Sequence, residues 1–225
     1  MERTLADIIY DFHYGCTSGN LEKVRHTLNI DGLKEHNNAE TYLYEGLGYA
    51  IGHNRDKIIE YLLSSNDFKQ HVNYDANQLF PVICSNKKPE VIQVIINDMN
   101  QKNILIPYTQ GFINACDKSN FPVLDLLLSQ EDIRKKISTD IQLKKFEDAI
   151  KQDNLDLVKY YLHSKDLQFN IYCSHYLKRK KRGFDPFSTR IKISKPIDSY
   201  MSAFELQHQL RVNLPTPTTK KFLKI

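Results

Sequence analysis

The chain has 225 residues, is 41% hydrophobic, holds four cysteines and carries a formal net charge of +4. It has no run of about 18 apolar residues, so no membrane span is expected, and its start, MERTLADIIYDFHYG, lacks the apolar core of a secretion signal. The charge is uneven: residues 171–225 hold 12 Lys/Arg and 3 Asp/Glu, a net of +9, against −5 for residues 1–170, an asymmetry that points to a partner.

A single frame recurs along the first 170 residues. Its clearest copy is Ala50 to Leu63, AIGHNRDKIIEYLL, which reads as the end of a short helix, a tight turn and a second helix. With Ala50 as anchor, equivalent anchors fall at Gly15, Ile83, Ala115 and Ala149, at spacings of 35, 33, 32 and 34 residues. Three residues before the anchor stand Phe12, Leu47, Phe80, Phe112 and Phe146. Nine after it stand Val24, Ile59, Ile92, Leu124 and Val158, and thirteen after it Leu28, Leu63, Ile96, Leu128 and Leu162. Positions nine and thirteen differ by four, so they share one face of the second helix. Each helix pair then has an apolar side that it buries only against a neighbouring pair.

In chain order, repeat one covers about Thr4 to Ile30, and DGLKEHNN (Asp31–Asn38) is a polar connector with turn residues Gly32 and Asn37. Repeat two runs from Ala39 to Leu63, and SSNDFKQHVN after it reads as a loop. Repeats three and four place Pro89 and Pro122 in the first turn of their second helices, where no amide donor is lost. Repeat five runs from Ile141 to Leu162. Cys16, Cys84 and Cys116 each follow an anchor, where the other two repeats have Ile51 and Ile150, so they read as buried small hydrophobes.

A period of about 33 with two helices per repeat resembles ankyrin repeats, over roughly residues 5–170. The second-helix half matches better. SGNLEKVRHTLN (Ser18–Asn29) is similar to the family's Gly-His-x-x-x-Val-x-x-Leu-Leu, with Gly19 in the glycine place. The Thr-Pro-Leu-His signature of the first helix is absent from all five repeats, and the turn glycine survives only in the first. The resemblance implies an all-α, ankyrin-like repeat solenoid of about five helix pairs (1–170) followed by a small basic extension (171–225). It further implies a protein-interaction scaffold and no enzyme. Divergent stacks of this kind resemble proteins of intracellular bacteria, large DNA viruses and phages, which implies a host-directed factor or an assembly component, cytoplasmic in its producer or host.

In the extension, LKRKKR holds Lys178, Arg179, Lys180, Lys181 and Arg182, either a solvated run or a nuclear-import or nucleic-acid patch. Ile191 and Ile193 alternate like a short strand. Residues 198–212 read as an amphipathic helix, capped by Ser199 and presenting Tyr200, Met201 and Phe204, suited to covering the open end of repeat five. Residues 214–225 form an extended tail.

No phosphate-binding glycine loop, zinc spacing or His-Glu-x-x-His occurs, and Cys173-Ser174-His175 is too local for a usual Cys–His pair. No catalytic residue, metal, cofactor or small-molecule substrate is therefore expected. In ankyrin repeats partners contact finger tips and the exposed end of the first helix. Carried over, those positions are Tyr42, Tyr44, Tyr74, Asn77, Tyr108 and Thr109 on the fingers. The helix-end positions, two and three after each anchor, are Thr17 and Ser18, Gly52 and His53, Ser85 and Asn86, Asp117 and Lys118, Lys151 and Gln152. The tyrosines are either a contact surface or braces for the fingers. The alternative function is a nucleic-acid binder using the basic extension.

Overall fold

The computed structural model describes residues 4–30, 33, 36–164 and 194–213, with side chains up to 206. Among these the protein is all-helical. The basic run 178–182, the strand expected around Ile191 and Ile193, and the tail 214–225 lie outside the described residues. Two compact units are present, Met1–Ile137 and Ser138–Ile225.

The first unit contains α1 (Leu5–Ser18), α2 (Leu21–Leu28), α3 (Ala39–Gly52), α4 (Asp56–Ser64), α5 (Asn66–His71), α6 (Ala76–Asn86), α7 (Pro89–Gln101), α8 (Tyr108–Asp117), α9 (Phe121–Ser129) and α10 (Glu131–Arg134). The second contains α11 (Thr139–Lys151), α12 (Leu155–Leu162) and α13 (Lys195–Asn213). Each anchor sits near the end of a first helix (α1, α3, α6, α8, α11), and a second helix (α2, α4, α7, α9, α12) follows after a short turn. Short polar side chains cap five of these helices. Thr4 and Asp7 exchange capping bonds on α1, Asp75 caps α6, Ser138 caps α11, and Asn20 and Asn154 cap α2 and α12.

Burial follows the frame. Positions three before and nine after the anchor are fully buried in all five pairs, as are Cys16, Cys84 and Cys116. Position twelve after the anchor, occupied by Thr27, Leu62, Ile95, Leu127 and Tyr161, is equally buried. Position thirteen is buried in four pairs, but Leu128 is only half-buried. The second-helix stripe is thus i, i+3, i+4, wider than a pair of positions four apart.

The turns repeat as well. Four residues after the anchor the chain enters the left-handed region at Gly19 (φ 87°), Asn54 (56°), Ser119 (52°) and Asp153 (56°). The next amide then reaches back to the anchor carbonyl: Asn20 to Gly15 and Arg55 to Ala50, at 3.0 and 2.8 Å, and Asn120 to Ala115 and Asn154 to Ala149, both at 2.9 Å. This is the six-to-one bond that closes a helix in a Schellman turn. Glycine is one solution among several here, because Asn and Asp tolerate left-handed backbone. Pair three departs: Lys87 is extended (φ −107°), and Pro89 starts α7.

Within the first unit, α2, α4, α7 and α9 each touch the next, while α1 packs on α3 and α6 on α8. The first-helix contacts are Phe-into-Gly. A Cβ on Gly46 would stand 2.2 Å from Phe12 Cε1, and one on Gly111 would stand 2.4 Å from Phe80 Cε1. Polar ties join successive turns. Arg55 Nε donates to the Thr17 carbonyl (2.8 Å), Lys87 Nζ to Asn54 Oδ1 (2.9 Å), and Asn120 Nδ2 to the carbonyls of Cys84 and Lys87 (3.1 and 3.0 Å). The Lys87 ammonium is buried, which lowers its pKa, and Asp56 at 3.5 Å opposes that shift.

The segment SSNDFKQHVN, expected as a loop, contains α5: Ser65 caps it and Phe68 is buried beneath it. Helix α10 likewise buries one apolar side chain, Ile133, though without a side-chain cap. Pro81 lies inside α6, where it removes one amide donor from the helix.

In the second unit, Phe146 and Tyr161 meet edge to face at 5.4 Å between α11 and α12. Helix α13 packs on α12. It starts at Lys195–Pro196, earlier than Ser199, and buries Ile197 and Met201. His163 Nε2 lies 2.5 Å from the Tyr200 hydroxyl, and its ring is 5.5 Å from that of Phe204. Replacing Ile197 by alanine is expected to cost about 2–5 kcal/mol. Leu206→Ala, at a position 59% exposed, should stay within about 0.5 kcal/mol. Thermal denaturation followed by circular dichroism measures both.

The cysteines give a second check. Burial pushes the Cys16 thiol up to about 12, and raises Cys84 also. Cys16, Cys84 and Cys116 should resist a thiol reagent at pH 8 in the native protein and react once it is unfolded. An unfolded thiol ionises near 8.5. A folded pKa raised above that value supplies stability that is complete below it and is lost as pH climbs from about 9 towards 12.

Candidate interaction surface

The residues expected to meet a partner fall at two ends of the helix pairs. His53, Asn86, Lys118 and Lys151 are exposed where the first helices finish. His53 follows α3, immediately before left-handed Asn54, and Lys118 follows α8, immediately before left-handed Ser119. Asn86 and Lys118 share an open recess of about 460 Å³ with Ser85, Lys88, Pro89 and Pro122. Lys151, in the second unit, pairs along its own helix with Glu147 at 3.7 Å and Asp148 at 4.0 Å.

The positions expected on fingers fall instead in or beside helices: Tyr42 and Tyr44 within α3, Tyr74 just before α6, Asn77 in α6, and Tyr108 and Thr109 at the start of α8. Asn77 is exposed at the start of α6, with its amide donating to Asp75 Oδ1. Tyr42 and Tyr44 are half-buried. The Tyr42 carbonyl lies 2.9 Å from His13 Nε2, and its ring is 5.8 Å from that of His36. Tyr44 shares a second recess, of about 290 Å³, with Glu40, Thr41, Asn73, Tyr74 and Asp75; burial and the Asp75 carboxylate raise its pKa.

Tyr74 and Tyr108 are buried, 5% and 4% exposed, so their rings brace the unit and offer a partner little surface. Lys102 Nζ lies 4.5 Å over the Tyr74 ring, donates to the Val72 carbonyl and pairs with buried Asp98 at 3.2 Å. Burial raises the Tyr74 pKa first, and the neighbouring Asp98 carboxylate adds to it. Tyr108 packs edge to face on Phe80 at 5.5 Å, with Lys136 Nζ 5.0 Å over its other side.

The tyrosines that do face solvent were not among the expected contacts. Tyr10 and Tyr14 on α1 are 68% and 50% exposed, and Tyr49 on α3 is 44% exposed. They occupy positions five and one before the anchor, the outer side of the first helices, and Val82 stands at the same position on α6. The signal was present in the sequence: with Phe12 and Cys16 inward, Tyr10 and Tyr14 lie outward by helical periodicity.

No cluster of three or more His, Cys, Asp or Glu side chains able to hold a metal occurs among the described residues, and no described helix is long and apolar enough to cross a membrane. No family model, curated protein or solved structure matches the chain.

Proposed function

We propose that this protein is a divergent ankyrin-like repeat scaffold that binds another protein through the outer face and ends of its first helices. The observation that carries the reading is the exposure of Tyr10, Tyr14, Tyr49 and Val82 on successive first helices. Large apolar side chains gathered on one solvent face mark interaction surfaces, and tyrosine is among the residues that dominate binding energy. The repeated left-handed turns and the ties from Arg55, Lys87 and Asn120 support the repeat reading.

The test is affinity capture on the immobilised full chain from cells of its native source. A variant with His53→Glu, Asn86→Glu and Lys118→Glu should lose the captured protein. One with Lys57→Glu, Glu60→Lys and Val94→Glu, all exposed on second helices, should keep it. No captured protein above a tag-only control would overturn the reading.

The basic residues of 171–225 favour a second reading, nucleic-acid binding. A salt titration separates the two, because phosphate-driven association weakens steeply with salt.

A further inference from the structure

Four features meet on the solvent face of α1 and α3. The Tyr10 and Tyr14 rings stack at 6.2 Å with 17° between their planes, and beside them His13 meets Tyr49 edge to face at 5.1 Å. Glu45, one helical turn before Tyr49, is half-exposed, with its carboxylate 3.9 Å from His13 Nε2. Along the same face α3 is bare. Gly48 and Gly52 are exposed, and a Cβ on either would meet none of the described residues within 4 Å. A glycine inside a helix costs roughly 0.5–1 kcal/mol relative to alanine. At Gly46 close packing on Phe12 explains it; at Gly48 no contact with a described residue does. A low helix surface lets a foreign backbone come close.

The fourth feature is charge. Helices α1, α3, α6 and α8 contain Asp7, Asp11, Glu40, Glu45 and Asp117 and no lysine or arginine. Lys23, from α2, shows how such a surface takes a cation: its ammonium lies 5.1 Å over the Tyr14 ring and 2.5 Å from Asp11 Oδ1. Tyr49 and Glu45 set a ring and a carboxylate side by side one helix further on.

We propose that the α1–α3 face is a docking surface for a lysine- or arginine-bearing polypeptide segment. The segment lies along Gly48 and Gly52, with a cationic side chain reaching the exposed Tyr49 ring and the Glu45 carboxylate from the solvent side, opposite His13. This specifies the partner class of the interaction reading above and rests on it. Phosphate-bearing partners are disfavoured at this face, because every formal charge on its helices is negative.

The experiment selects random linear 16-residue peptides, displayed on phage, against the full chain. The strongest binder is then synthesised with a fluorescent label and titrated by anisotropy. Enriched peptides should carry an excess of Lys and Arg. The labelled peptide should bind at least about tenfold more weakly to Glu45→Lys and to Gly48→Lys. The second substitution enters open space and raises helix propensity, so it keeps the fold intact. Leu105→Ser, at a leucine 90% exposed outside the face, should leave binding unchanged. Neutral or acidic peptides, or binding indifferent to Glu45→Lys and Gly48→Lys, would overturn the cationic-segment assignment and leave the scaffold reading standing. Absence of any enriched peptide would overturn both.

Discussion

Leu127→Asp is expected to unfold the first unit. Leu127 is fully buried on α9 at the position twelve after the anchor, which is solvent-free in every helix pair. An aspartate there either buries an unpaired charge or holds a proton against its ordinary pKa. Both rank among the costliest single substitutions, above about 4 kcal/mol, which is comparable with the whole stability of a small domain. Its neighbour separates register from mere hydrophobicity. Leu128 is half-buried, so Leu128→Asp should lower the melting temperature without abolishing the transition. Lys151→Asp, at an exposed position, should shift stability by no more than about 0.5 kcal/mol. Equal melting shifts for Leu127→Asp and Lys151→Asp would mean that the helix faces are assigned wrongly.

The second large effect concerns Gly111. Alanine in a helix interior ordinarily gains up to about 1 kcal/mol over glycine. Here the added methyl would stand 2.4 Å from Phe80 Cε1 and 2.9 Å from Cys84 Sγ, both fully buried. Neither has room to yield, so Gly111→Ala should destabilise by about 1–3 kcal/mol. Phe80→Leu alone should also destabilise, by leaving a cavity. In combination the smaller leucine vacates the space the methyl needs, and the double variant should recover at least about 1 kcal/mol over the sum of the singles. Additive losses in chemical denaturation would show that the α6 ring does not seat on the α8 glycine. The same logic applies to Phe12 and Gly46.

Much of this was legible in the sequence, because buried apolar positions at helical spacing leave a direct trace. The five anchors fall in five helix pairs, and the positions three before and nine after them are fully buried in every pair. The trace failed where chemistry was disguised. Position twelve escaped notice because Thr27 and Tyr161 occupy it in two pairs. Thr27 is accommodated by turning its hydroxyl onto the Lys23 and Val24 carbonyls. The turn is disguised after the first pair because glycine does not recur there, whereas Asn54, Ser119 and Asp153 adopt the same left-handed backbone. Helices α5 and α10 are hidden in the sequence because each is polar apart from a single apolar side chain, Phe68 in α5 and Ile133 in α10, too few for a periodicity.

The interaction surface was less legible. Of the positions two and three after the anchor, His53, Asn86 and Lys118 are exposed. Tyr74 and Tyr108 are buried, with Lys102 and Lys136 over their rings. A tyrosine beside a turn is ambiguous in sequence. Its ring packs inward wherever a neighbouring helix supplies an apolar wall, as Phe80 does for Tyr108. Tyrosines one and five before the anchor carry no such ambiguity, since the opposite face of the same helix is already committed to the core.

If partners are read by the first helices, hydrogen–deuterium exchange of the full chain, alone and saturated with the strongest selected peptide, will map the contact onto them. Slowed exchange is expected in the segments covering residues 5–18 and 39–53, with α2, α4, α7 and α9 unchanged. Protection confined to those second helices, with α1 and α3 exchanging as in the free chain, would contradict it.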